Sequence, residues 1–237
     1  MTAPAAIRRT EDLPREDFSA YLAPTPFIES SHPDVVAFAR AAVGDAATDI
    51  EKGIRLFYAA RDAIRYDPYN FIMTPDFFRA STTLRNKASF CIPKAVLLAT
   101  IARAVGIPSA VGFADVRNHL TTERLRKLMD GADIFIWHGY AALYLDGAWV
   151  KATPAFNIEL CEKFGVKPLE FDGRHDAMMH EFDAAGRRHM EYVKEHGMFA
   201  DLPFQAIIDD MNATYPKLVR EDFQPVGGDF ESETRLN

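Results

Sequence analysis

Cysteine, positive charge and long apolar runs are all scarce in this sequence. There are two cysteines, Cys91 and Cys161, far apart in the chain; they make no disulfide framework and suit a reducing compartment. The formal net charge of −7 argues against a nucleic-acid partner and against attraction to anionic membranes. No apolar run is long enough to span a bilayer, and residues 1–9 have no apolar signal core, so we expect a cytoplasmic protein.

The remaining composition is that of an ordinary globular protein. The chain has 237 residues, of which 48% are hydrophobic and 26% are charged, enough to bury one large core. We expect a single domain over residues 1–237. Its core spans about 34–157, with an N-terminal segment that wraps the surface and a helical C-terminal extension. The pattern indicates no particular oligomeric state.

The first half of the chain has helical periodicity. One helix is predicted to start at His32-Pro33-Asp34 and to end at Gly44. A second runs over about 48–64, where Thr48 and Glu51 form a capping box. A short helix is expected over 76–84.

The second half mixes strands and helices. Residues 134–145 have the strongest strand pattern, Asp146-Gly147 is a favoured two-residue hairpin turn, and 148–153 is the return strand. The other predicted elements are a strand over 110–113, helices near 122–129, 158–164, 188–196 and 201–211, and a disordered tail from Val226.

Cys91 stands at the start of the most apolar predicted helix. Pro93 suits a first helical turn, because its missing N–H would have no partner there, and Gly106 ends the helix. A thiol at a helix N-terminus meets the positive end of the helix dipole and free N–H groups, which lower its pKa and can hold an oxyanion. From this stretch alone, a small buried apolar residue is the commoner case.

The predicted hairpin orients a histidine. If Asp146-Gly147 is a two-residue turn, Tyr140 faces Thr153, and alternation puts His138 on the same face of the sheet. Thr153 is then a diagonal neighbour of His138, about 7–8 Å away between backbones. A strand histidine is more often a satisfied core residue, but beside a helix-capping cysteine it is a candidate base for a Cys–His pair.

Three stretches occur in an order that is typical of one family. They are the helix ending in Ile64-Arg65-Tyr66, the helix that follows Cys91 and ends in Gly106-Ile107-Pro108-Ser109, and the strand pair His138-Gly139-Tyr140-Ala141-Ala142-Leu143-Tyr144 with Gly147-Ala148-Trp149. They resemble the "I-R/K-Y", "L-R-x-x-G-I-P-A" and "H-x-W/Y-x-E-x-Y-x-x-G-x-W" signatures of the transglutaminase-like superfamily, cysteine enzymes related by fold to papain. The resemblance covers roughly residues 34–157.

The resemblance implies an α+β, papain/transglutaminase-like fold. The nucleophile Cys91 would stand at the N-terminus of a buried helix, packed on an antiparallel sheet that carries the catalytic His138. The implied activity is attack on an amide or other acyl bond through a thioester, on a peptide or small amide-containing substrate, without a cofactor. Amide hydrolysis by a peptidase or amidase is the first expectation; acyl transfer to an amine and a non-catalytic binding module are the alternatives.

Two positions depart from the family pattern. Ala88-Ser89-Phe90 precedes Cys91, where the family usually has G-x-C or G-D-C. The position of the family's triad aspartate is Thr153, whose hydroxyl can accept a hydrogen bond from imidazole but supplies no negative charge. Asn157 is the rival, in the role that asparagine has in papain-like Cys–His–Asn sites. The third catalytic residue is therefore Thr153, Asn157 or a residue that the fold brings from elsewhere.

The polar C-terminal region contains several potential metal ligands. They are His175, Asp176, His180 and Glu181, with His189 and His196 further along. The H-x4-H spacing fits no common zinc motif, so no metal site is expected. Cys161, in a mixed helix, is expected to be structural.

Overall fold

The protein is built on a four-stranded antiparallel sheet. The computed structural model describes residues 6–69, 71–118, 122–129, 131–178, 190–216 and 230–233. The strand order is β5 (Ala148–Ala152), β4 (Ile134–Leu145), β3 (Ser109–Asn118) and β6 (Met190–Phe199). A separate parallel ladder joins β1 (Arg65–Tyr66) to β2 (Ala88–Ser89).

Helices pack against this sheet. In chain order they are α1 (Ser19–Leu22), α2 (Pro33–Val43), α3 (Asp49–Asp62), α4 (Ala80–Asn86), α5 (Cys91–Ala104), α6 (Glu123–Leu128), α7 (Ile158–Phe164), α8 (Phe204–Thr214) and α9 (Phe230–Glu233). Helix α5 packs directly on β4 and β3, and α2, α3 and α4 pack around α5. None of the helices in the described ranges is long and apolar enough to cross a membrane.

The predicted helix starts are confirmed by their caps. The His32 ring accepts a hydrogen bond from the Asp34 N–H at the start of α2. Thr48 and Glu51 form both bonds of the capping box at the start of α3. The predicted helix over 76–84 is instead a 3-10 turn, Pro75–Phe78, followed by α4, because Arg79 between them is extended.

Helix α5 is the centre of the main core. Every residue from Ile92 to Arg103 is buried, as the lack of a polar stripe predicted. Its one buried lysine, Lys94, donates from Nζ to the carbonyl oxygens of Arg61, at 2.8 Å, and Ile64. These carbonyls belong to the end of α3, so Lys94 joins the C-terminus of α3 to the first turn of α5.

The hairpin register agrees with the prediction. The pairs run from Leu145–Ala148 to Ala141–Ala152, and Asp146 and Gly147 both have positive φ, at 48° and 84°, as a two-residue primed turn requires. Strand β5 ends at Ala152, so the part of β4 before Ala141 has no β5 partner.

The predicted helix over 188–196 is wrong. From Met190 the chain forms β6, which pairs with β3 from Asn118–Met190 to Val111–Phe199. Its middle residues are partly or fully exposed, and such a charged edge strand lacks the period-two pattern of a half-buried one. Pairing with β3, which lies far away in the sequence, decides the conformation. The tail predicted from Val226 lies outside the described residues except for α9.

Candidate active site

Cys91 is the first residue of α5, as predicted. Its thiol is partly exposed, and Phe90 makes no side-chain cap with the first-turn N–H groups. Burial raises the pKa of the Cys91 thiol to about 11, although hydrogen bonds from the backbone N–H groups of Gly139, Ile92 and Cys91 act in the opposite direction. The N–H groups at the helix start do lower this pKa, as predicted, but desolvation outweighs them and the net shift is upward.

Gly139 allows β4 to approach the start of α5. A Cβ atom at Gly139 would lie 3.0 Å from the Cα of Ile92 and 3.2 Å from the carbonyl oxygen of Cys91. Both atoms belong to the backbone, so they could move aside only if the start of the helix moved with them. The absence of a side chain at Gly139 thus lets its N–H reach the thiol. It also places the neighbouring residue, His138, beside the start of the helix.

A β-bulge lies directly before His138. Ala114 pairs with His138 and Val116 with Phe135, so Asp115 faces the two residues Ile136 and Trp137. Trp137 has a φ of 59°, which a bulky side chain rarely adopts. Bulges near active sites commonly re-aim a side chain, and this one ends where the candidate histidine begins.

Three polar groups hold this bulge. The Asp115 carboxylate accepts a hydrogen bond from the Trp137 N–H at 3.0 Å and contacts His196 Nε2 at 2.6 Å. The His196 ring stacks on the Trp137 indole with 4.0 Å between centroids, and the indole Nε1 donates to Asp210 of α8 at 2.8 Å. Strands β3, β4 and β6 and helix α8 are all tied to the residue before His138.

His138 and Thr153 line the same small cavity. It lies at the sheet edge beyond the end of β5, and its other lining residues are Ala155, Phe156, Leu169, Met178 and Met190. Both His138 and Thr153 are buried. The Thr153 hydroxyl has no hydrogen-bond partner within the described part of the chain, so it has a free lone pair in the cavity that the histidine lines.

Asn157 lies on the other side of Phe156 and is engaged in different bonds. Its amide oxygen accepts a hydrogen bond from the Tyr66 N–H at 2.9 Å, and its amide nitrogen donates to Glu159 at 2.7 Å. Asn157 thereby holds β1, and with it Tyr66, against the start of α7.

Cys91 lines a second, larger cavity. Its walls come from the β1 and β2 ends, α6, β4 and α8. They are formed by Tyr66, Pro68, Phe71, Phe90, Ile92, Leu125, Met129, Phe135, Ile136, Met211 and Tyr215. The ring of Tyr66, which lines this cavity, is in edge contact at 4.8 Å with the ring of Phe156, which lines the His138 cavity.

The remaining candidates from the sequence lie elsewhere. Cys161 is buried in α7, and burial raises its pKa to about 12. His175 contacts Asp172 at 2.7 Å on the surface, and Asp176 accepts from the Lys151 N–H. His180, Glu181 and His189 lie outside the described residues. Among the residues that are described, no group of three or more His, Cys, Asp or Glu could hold a metal ion.

Sequence reasoning missed Asp115, Trp137 and Gly139. Asp115 is a lone carboxylate in an apolar strand, and such a residue usually has a specific partner, which was a usable signal. His196 was considered only as a metal ligand. The bulge itself has no signature in the sequence, because it arises from the pairing of two distant strands.

Comparison with known proteins gives one family. A family model described as "Transglutaminase-like superfamily" matches residues 36–154, about half of the chain. No curated protein matches the chain.

Two similar solved structures carry protease descriptions. One, described as "Putative Cysteine Protease" from Cytophaga hutchinsonii, is 16% identical with a TM-score of 0.46, and the match covers 82% of this chain. Another, described as "Putative Protease" from Parabacteroides distasonis, is 22% identical with a TM-score of 0.37 over 50% of this chain. The matches span 57% and 22% of those two proteins.

Proposed function

Since the chain belongs to the transglutaminase-like superfamily, we propose that it is a cysteine-nucleophile enzyme that hydrolyses an amide bond through a thioester. Cys91 is the nucleophile and His138 is the general base and acid. The substrate is a peptide or a small amide-containing molecule. The observation that carries the proposal is the contact between the start of α5 and Gly139, since it puts the thiol beside the residue that follows His138.

Because burial raises the pKa of the Cys91 thiol, the nucleophile needs a base, and His138 is the base that we propose. A thiol with a pKa of about 11 is almost fully protonated at neutral pH, and the thiolate is the reactive form. An imidazole that takes this proton converts the thiol into an ion pair and restores reactivity. The helix start and the N–H of Gly139 then stabilise the thiolate that forms.

The proposed reaction has two halves. His138 takes the thiol proton while the sulfur attacks the carbonyl carbon, and the oxyanion that forms accepts hydrogen bonds from backbone N–H groups that include that of Cys91. The C–N bond then breaks as His138 donates its proton to the leaving amine, which leaves a thioester on Cys91. In the second half His138 deprotonates water, which attacks the thioester, and the proton returns to the thiol sulfur.

We favour Thr153 as the third residue, because it lines the cavity of His138. Its hydroxyl has no partner among the described residues, His138 included, so a shift of either side chain is needed before it can accept a hydrogen bond from the ring. Asn157, the rival, already uses its oxygen and one amide proton on Tyr66 and Glu159. We assign Asn157 to hold the cavity wall.

The pH dependence of alkylation tests the Cys–His pair. The rate of iodoacetamide addition to Cys91 is followed by intact mass from pH 5 to 11, in the wild-type protein and in His138→Ala. An activated pair reacts below pH 8 in the wild type, whereas in His138→Ala the reaction moves to the alkaline range of a buried thiol. If the two profiles coincide near pH 11, the pair does not exist, and a non-catalytic binding module becomes the better explanation.

A product screen separates hydrolysis from transfer. The protein is incubated with a proteome-derived peptide library, with and without hydroxylamine, and new termini are identified by mass spectrometry. Hydrolysis yields new carboxyl termini that become hydroxamates when hydroxylamine competes with water for the thioester. Cys91→Ser is the control. Products that form only with an added amine would favour acyl transfer instead.

A further inference from the structure

The Cys91 cavity has walls that select one kind of group. The described lining residues are aliphatic, aromatic or sulfur-containing, and none is an Asp, Glu, Lys, Arg or His. Two tyrosines contribute hydroxyls. Burial raises the pKa of Tyr66 well above its ordinary value and that of Tyr215 to about 12, so both are neutral at physiological pH.

The Tyr215 hydroxyl is already committed to the protein. It accepts a hydrogen bond from the Ile136 N–H at 3.0 Å and donates one to the Ile134 carbonyl. A charged group entering this cavity would therefore lose its water without gaining an ion pair, which costs several kcal/mol of binding free energy. An apolar group would gain by leaving water.

The two cavities assign the two sides of the scissile bond. Cys91 must reach the carbonyl carbon, and it lines the large apolar cavity. His138 must reach the leaving nitrogen, and it lines a different, smaller cavity. The acyl group consequently lies in the Cys91 cavity and the leaving amine on the His138 side.

We infer that the substrate presents an uncharged apolar group, such as the side chain of phenylalanine, leucine or methionine, on the acyl side of the bond that Cys91 attacks. This inference rests on the proposed function, because it takes Cys91 as the nucleophile. It excludes substrates whose acyl side carries a carboxylate or an ammonium next to the reacting carbonyl.

Three alkylating probes test the inference. They are iodoacetamide, N-phenethyl iodoacetamide and the carboxylate-bearing 3-(iodoacetamido)propanoic acid, all of which transfer the same carbon to sulfur with loss of iodide. We expect the phenethyl probe to alkylate Cys91 about tenfold faster than iodoacetamide, from burial of its ring, and the carboxylate probe to be slower than iodoacetamide. Equal rates for the phenethyl and carboxylate probes would overturn the inference, while rapid reaction with iodoacetamide would leave the proposed function standing.

Two neighbouring positions on β4 give matched variants. Phe135 lines the cavity, and Ile134 is not among its lining residues; both are partly buried. Phe135→Lys should raise the rate of the carboxylate probe relative to the phenethyl probe by about tenfold or more, whereas Ile134→Lys should not. The same shift in both variants would mean that long-range charge, rather than the cavity, sets the preference.

A binding measurement tests the inference even if the Cys91 thiol proves unreactive. Cys91→Ala retains the cavity, and binding of N-acetyl-phenylalaninamide and N-acetyl-aspartamide can be measured by NMR titration. Tighter binding of the phenylalanine compound, lost in Phe135→Lys, supports the apolar acyl site even if the proposed chemistry fails. No discrimination between the two compounds would refute it.

Discussion

The two cysteines of this chain lie in different chemical surroundings. Cys91 is partly exposed, opens α5 and meets backbone N–H groups from β4. Cys161 is fully buried in the middle of α7, where its sulfur has one long contact, at 4.0 Å, with the Phe156 carbonyl. Burial raises the pKa of both thiols.

The difference is therefore one of access and of neighbours, and pKa alone does not reveal it. Cys91 has a cavity in front of it and a histidine one residue from the backbone that it touches. Cys161 is surrounded by apolar side chains of the main core. A reactive cysteine needs a place for a substrate and a group to take its proton, and only the start of α5 provides both among the described residues.

The largest expected effect comes from removing the two sulfurs in turn. Cys91→Ser should lower amide hydrolysis by at least about 10³-fold, since loss of a nucleophile removes nearly all of the chemistry. Cys161→Ala should leave turnover within about twofold and cost about 1–2 kcal/mol of unfolding free energy, from the small cavity it creates. Turnover with the identified substrate and urea unfolding measure the two effects. Full activity of Cys91→Ser would show that Cys91 is no more needed for amide hydrolysis than Cys161.

The close approach of β4 to α5 is the next contact to break. Gly139→Ala places a methyl group 3.0 Å from the Ile92 Cα, so the strand and the helix start must separate. We expect a loss of about 1–3 kcal/mol in unfolding free energy and slower alkylation of Cys91, with labelling of Cys161 in the folded protein unchanged. Unaltered stability and labelling would show that the approach is not needed.

Lys94 is the buried lysine of α5 and interacts electrostatically with Cys161. Burial lowers its pKa to about 7, against about 10.4 in an unfolded chain. Between these values the unfolded state binds one proton more, so the unfolding free energy rises with pH, by up to about 1.4 kcal/mol per unit. Below about pH 7 both states are protonated and the slope vanishes.

Lys94→Met should remove this slope. Unfolding is measured by urea between pH 6.5 and 9.5 for both proteins, and the difference between them isolates the lysine from the tyrosines, which titrate at higher pH. Lys94→Arg keeps a charge that does not titrate in this range and serves as the control. A slope that persists in Lys94→Met would assign it to another group.

The smallest effect is expected at Thr153, the proposed third residue of the site. Thr153→Val removes a hydroxyl that has no partner in the described part of the chain, so stability should change by less than about 1 kcal/mol. Turnover should fall by about three- to tenfold if the hydroxyl orients His138, with most of the loss in kcat. Thr153→Ser should restore it.

Asn157→Ala provides the contrast for Thr153. It leaves the buried Tyr66 N–H without its acceptor, which should cost about 1–3 kcal/mol of unfolding free energy. Differential scanning calorimetry and the alkylation profile of Cys91 together distinguish a wall residue from a residue that orients the histidine. Normal stability together with lost activity in Asn157→Ala would indicate that Asn157, rather than Thr153, orients His138.

Local patterns were sufficient for much of the fold. The caps of α2 and α3, the apolar α5 with Cys91 at its start, the β4–β5 hairpin and its register, and α7 are all as predicted, because caps, periodicity and turn residues act within a few positions of each other. The motif order likewise identified the family, since the match lies within the predicted core.

Contacts between distant segments decided the rest. The sequence of β6 predicts a charged helix, and only its hydrogen bonds to β3 make it a strand. The bulge at Asp115 exists only where β3 and β4 pair. The environment of Cys91 is likewise decided by contacts between distant segments. Its position at the helix start could be read from Pro93 and Gly106, but the desolvation that raises its pKa and the cavity in front of it come from β1, α6, β4 and α8, which only folding brings together.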